Sequence, residues 1–173
     1  YEKLCPSYGA VKRNILILLI FILLAGCSPE EIEEKILTSG VQYIGDNKKL
    51  IAELEKLPID SSHSMAINDA LQEYKLVLIE PNYTKQLNKQ TLIELIENGY
   101  FIFFINLDDR RLIQEAYFGN FASSQKKTDK IWTEHLYIEN EELQSLLLST
   151  DSNIEKNLLK WLKYFDKFKE KSF

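Results

Sequence analysis

Two unbroken apolar runs constrain this chain of 173 residues more than any other feature. Lys75-Leu76-Val77-Leu78-Ile79-Glu80 is closed by Pro81, and residues 100–105 read Tyr-Phe-Ile-Phe-Phe-Ile. A strand with one wet face alternates apolar and polar residues. A short continuous run bounded by a breaker is therefore expected to be buried on both faces. Between the two runs, residues 88–98 carry Leu92, Ile93, Leu95 and Ile96 at helical spacing, and Asn98-Gly99 supplies a stop. Strand, helix, strand with both strands buried is the βαβ pattern of a parallel sheet joined by a right-handed crossover.

The flanking segments extend this reading. Val41 to Ile44 is expected as a strand, followed by a helix over 47–57 that Asp46 caps and Pro58 stops. Residues 59–64 read as a polar loop. Residues 65–74 read as a helix, with Ile67, Ala70, Leu71 and Tyr74 on one stripe. A short helix is expected over 108–116, an edge strand over 131–138 and a helix over 140–148. The last helix is expected to start from a capping box of Ser152 and Glu155, with Ile154, Leu158, Leu159, Leu162 and Phe165 inward. The expected fold is α/β: a small three-layer domain over 41–173 with a mostly parallel sheet and a C-terminal helix.

The N-terminus carries a different kind of signal. Lys12-Arg13 precedes the ten apolar residues Ile15 to Leu24, which give way to Ala25-Gly26-Cys27-Ser28. A spanning helix needs ~20 apolar residues, so this run is about half the required length and fits a secretory leader instead. Leu24-Ala25-Gly26-Cys27 resembles the lipobox of bacterial lipoproteins. The resemblance covers Lys12 to Cys27 and implies cleavage between Gly26 and Cys27, with diacylglycerol on the Cys27 thiol and acylation of its new amino group. No other cofactor is expected. Two or more chains anchor a protein stably where one does not. The implied location is the cell membrane, on its extracytoplasmic face. Residues 1–26 are then a signal region, and 27–40 the lipidated cysteine and tether. Residues 1–10 do not look like a leader, and Val11 is the expected translation start.

Without residues 1–26, which hold Lys3, Lys12, Arg13 and Glu2, 147 residues remain, with 18 basic and 25 acidic side chains and a net charge of −7. Phosphate binding needs a basic face, so nucleic acid is not an expected partner. The expected partners are the membrane, through the lipid, and a protein or small molecule of unassigned identity. The Lys156, Lys160, Lys163, Lys167 and Lys169 side of the last helix reads as a solvated face.

Candidate chemistry follows from topology. Ligands of open α/β sheets bind beyond the carboxyl ends of the strands. There the sequence places Gly45, Asp46 and Asn47, then Glu80 and Asn82, then Asn106, Asp108 and Asp109. Their carboxylates and amide carbonyls, those of Asp46, Glu80 and Asp108 foremost, are oxygen donors suited to Mg²⁺ or Ca²⁺ if they converge. The same residues have ordinary roles as caps and turns. Tyr117, Phe118, Phe121 and Trp132 surround the longest loop and are candidates for partner binding. His63 and His135 lack zinc-ligand spacing. Neither a G-x-S-x-G elbow nor a glycine-rich phosphate loop occurs, and no catalytic residue is assigned. The sequence thus suggests a membrane-anchored binding or accessory module. The alternative is an extracytoplasmic metal-dependent hydrolase using the acidic rim.

Overall fold

A computed structural model of the chain describes residues 40–67, 74–119 and 129–170, with side chains through residue 168. The chain divides into Tyr1–Lys35 and Ile36–Phe173, and every described residue belongs to the second unit. The leader, Cys27, Phe121 and most of the expected helix over 65–74 lie outside the described residues. No helix among the described residues is long and apolar enough to cross a membrane.

Six strands form one sheet: β1 (Val41–Ile44), β2 (Ser61–Ser64), β3 (Leu76–Ile79), β4 (Phe101–Leu107), β5 (Ile131–Glu139) and β6 (Glu142–Thr150). Their order is β2-β1-β3-β4-β5-β6. The first four run parallel, and β5 and β6 are antiparallel to their neighbours. The apolar runs behave as their composition dictates: every residue of β3 and Ile102 to Ile105 of β4 are fully buried. Helix α1 (Lys48–Lys56) links β1 to β2, and α2 (Lys89–Glu97) links β3 to β4. Asn88 caps α2, its Oδ1 accepting from the Thr91 N–H at 2.9 Å. Gly99, at φ 81°, ends the helix as its sequence position implied.

Side chains of alternate parity fill two cores. Val41, Tyr43, Leu76, Leu78, Phe103 and Ile105 face α1 and α4 (Leu158–Asp166). Ile44, Val77, Ile79, Ile102, Phe104 and Leu107 face α2, α3 (Arg111–Phe118) and the 3-10 turn Pro81–Gln86. The β1–α1–β2 and β3–α2–β4 crossovers travel toward opposite edges on opposite faces, so they share one hand.

The expected mostly parallel three-layer domain is corrected. The β5–β6 ladder spans nine residue pairs, against four in each parallel pairing, and makes the sheet mixed. No residue of β6 is fully buried, so the helical cover stops short of that end. The cause is the segment read as a helix over 140–148. Its residues favour helix intrinsically, but Asn140 and Glu141 both take positive φ, 52° and 65°. That two-residue, type I′-like turn folds β6 back onto β5, and pairing overrides propensity. The turn also makes β5 an inner strand rather than an edge. Ser61 to Ser64, read as loop, is instead the edge strand β2.

Candidate functional site

The strand order locates the place to look. From β1 the chain moves to β2 on one side, then to β3 on the other. The crevice beyond the carboxyl ends of β1 and β3 is therefore the topological switch point, where open α/β sheets bind ligands. Gly45, Asp46 and Asn47 follow β1, Glu80 follows β3, and Asn106 sits near the end of β4.

These groups are engaged with one another. Glu80 is nearly buried, at 8% exposure. Beside its carboxylate stand three donors, the Tyr43 hydroxyl, the Asn47 side chain and the Asp46 backbone N–H. Burial raises its pKa, and the three donors oppose that rise without cancelling it. Burial likewise raises the pKa of Tyr43, whose hydroxyl also accepts from the Asn47 N–H at 3.0 Å. Gly45 lets the Tyr43 ring fold this close, since an added Cβ would overlap the phenol. The Gly45 carbonyl accepts from His63 Nε2 at 2.8 Å, and His63 stacks beside Tyr43. The Tyr83 hydroxyl lies beside Asp46.

A second carboxylate continues the network. Glu155, in the 3-10 turn Ile154–Asn157 that leads into α4, accepts from three asparagine side chains. They are Asn47 at 3.3 Å, Asn153 at 3.1 Å and Asn106 at 3.2 Å. Asn106 is held at φ 55° where the β4–β5 register shifts, and this bulge re-aims its side chain. Its Oδ1 accepts from the Ile154 N–H at 2.9 Å. The expected capping box is thus corrected: Glu155 reaches across to the sheet rim instead of back to its own helix start. Asn47, not Asp46, caps α1, accepting from the Lys49 N–H at 3.0 Å and the Leu50 N–H at 3.4 Å.

The predicted rim is therefore only partly convergent. Asp46 and Glu80 adjoin, while Asp108 stands exposed in the turn after β4. Among the described residues, no group of three or more His, Cys, Asp or Glu is placed to hold a metal ion. Sequence reasoning placed Asn47 and Asn106 on the rim but missed Tyr43 and Glu155, and with them the hydrogen-bonded set. The signal was an asparagine near the ends of both β1 and β4, which gains meaning only when Glu155 arrives from over a hundred residues away.

The aromatic candidates also separate. Tyr117 is 2% exposed, and its hydroxyl donates to the Leu87 carbonyl at 2.9 Å, which removes it from any exposed patch. Trp132 is half-buried beside the Arg110 guanidinium, 5.5 Å from its ring centre, and Phe118 is exposed. One face of β5 hides an acid: Glu134, 1% exposed, accepts from Gln114 Nε2, and its Oε2 has no hydrogen-bond partner among the described residues. Burial raises its pKa. On the other face His135 is stacked on Phe103, and burial lowers its pKa.

Set against protein-family models, curated proteins and solved structures, the chain matches none.

Proposed function

We propose that this chain is a lipid-anchored extracytoplasmic protein whose α/β domain acts as a binding or accessory module. The observation that carries the proposal is Leu24-Ala25-Gly26-Cys27 placed directly after a short apolar run with a basic start. In this reading the Cys27 thiol loses its proton and its sulfur displaces the phosphate headgroup of a phospholipid, the new C–S bond replacing the C–O bond to phosphate. Water then hydrolyses the Gly26–Cys27 peptide bond. The new amino group takes a further acyl chain from a lipid ester, whose alcohol leaves with the proton. Each buried CH₂ contributes about 0.8 kcal/mol to membrane attachment, so the chains together hold the domain stably.

The rim geometry favours a module over a hydrolase. Asn47, Asn106 and Asn153 occupy the oxygens of Glu155, the Tyr43 hydroxyl stands beside Glu80, and the Tyr83 hydroxyl beside Asp46. A metal would have to displace these donors. The network instead ties the start of the C-terminal helix to the carboxyl ends of the strands.

Cys27→Ser tests the anchor. Cells fed a labelled fatty acid are fractionated after expressing either form. The natural protein is expected in the membrane fraction, carrying label, and the variant unlabelled with its leader uncut. Equal labelling or normal trimming of the variant would overturn the proposal.

A further inference from the structure

The two edges of the sheet are built differently. The β2 edge is four residues long and polar, Ser-Ser-His-Ser, which gives another strand little to pair with. The β6 edge is nine residues long, and its register to β5 runs one-to-one from Thr150 to Glu142 with no bulge. It contains no Lys, Arg, Pro or Gly, and its single charge is Glu142 at one end. Leu143, Leu146, Leu147 and Leu148 are all only half-buried. Among the described residues, β6 pairs with β5 alone. Glu142 apart, β6 shows none of the charges, prolines or bulges that normally blunt an edge, and among the described residues no further strand covers it.

The hairpin register says which peptide groups are free. A two-residue turn makes its flanking residues, Glu139 and Glu142, a hydrogen-bonded pair, and such pairs alternate along an antiparallel ladder. Residues 142, 144, 146, 148 and 150 therefore turn their N–H and C=O toward β5. Leu143, Ser145, Leu147 and Ser149 turn theirs outward.

We infer that β6 is a self-association edge, pairing antiparallel with β6 of a second copy about a twofold axis at Leu147. The strand is complementary to itself in this register. Leu147 meets its own counterpart, and Ser145 meets Ser149 of the other copy on the same face. Leu146 meets Leu148 on the opposite face, and no like charges stand opposed. A twofold contact of this kind closes on itself as a dimer instead of growing into a fibre. The two sheets become one, and the outward peptide groups of Ser145, Leu147 and Ser149 gain partners.

Hydrogen exchange of the detergent-solubilised full chain, read residue by residue over a range of concentrations, tests this. The amides of Ser145, Leu147 and Ser149 are expected to slow about tenfold as concentration rises, in step with a dimer seen by sedimentation. Ser149→Pro deletes one outward N–H at an exposed position and leaves the β5 ladder intact. That variant is expected to sediment as a monomer with its thermal transition retained. Exchange rates that ignore concentration, or a dimer that Ser149→Pro leaves unchanged, would overturn the inference. Should the proline variant not fold, the exchange of the natural chain still decides.

Discussion

Glu141 and Glu134 show what single residues cost this fold. Glu141 holds φ 65° in the β5–β6 turn, a region that penalises a side chain with a Cβ by roughly 1–2 kcal/mol. Glu141→Gly should therefore stabilise the protein by about 1 kcal/mol, raising its thermal midpoint. An unchanged or lowered midpoint would count against the turn as described. Glu134 is legible in the sequence only as a charge on a strand; its burial depends on Gln114 and Ser145 arriving from other elements. Because burial raises its folded pKa, the folded state binds more protons than the unfolded chain. Its contribution is full below the ordinary value near 4.5 and is lost as pH rises through the folded pKa. Glu134→Gln removes that loss. The variant's stability advantage should grow between pH 4.5 and neutrality in urea melts. Glu80 and His135 are common to both proteins and cancel in the difference. Parallel pH profiles would show that the carboxyl is not buried.

Among elements, legibility followed the source of the signal. The strands buried on both faces, β3 and β4, and the helix between them were readable because burial alone dictates their composition. The helix stop at Asn98-Gly99 was readable because backbone conformation demands it. β6 was not, since its Leu and Glu content favours helix and only the Asn140-Glu141 turn reverses the choice. β2 was not, because a short polar edge strand has the composition of a loop. The rim was half legible: topology pointed to the strand ends, but the asparagines that engage the carboxylates act across the chain. Glu155 is the joint between the C-terminal helix and the sheet. Glu155→Ala leaves three amide donors without their acceptor and should cost about 1–3 kcal/mol. Amide exchange should rise first in α4. Uniform acceleration across the sheet would mean that α4 does not open separately. Gly45→Ala drives a Cβ into the Tyr43 phenol and should cost a similar amount, about 1–3 kcal/mol, by denaturant melts.

For the molecule as a whole, the fold and the proposed location rest on separate stretches of chain. The described residues account for a mixed α/β sheet with two cores and a hydrogen-bonded rim. The proposed anchoring rests on Lys12 to Cys27. A covalent tether makes the same physical demand whatever the domain binds: a sulfur carrying two acyl chains at the very start of the mature protein. The mass of the N-terminal peptide of protein extracted from its own membranes reads this directly. The account predicts a peptide that begins at Cys27 and carries the added mass of diacylglycerol. A continuous, unmodified peptide running through Ala25-Gly26-Cys27-Ser28 would contradict it.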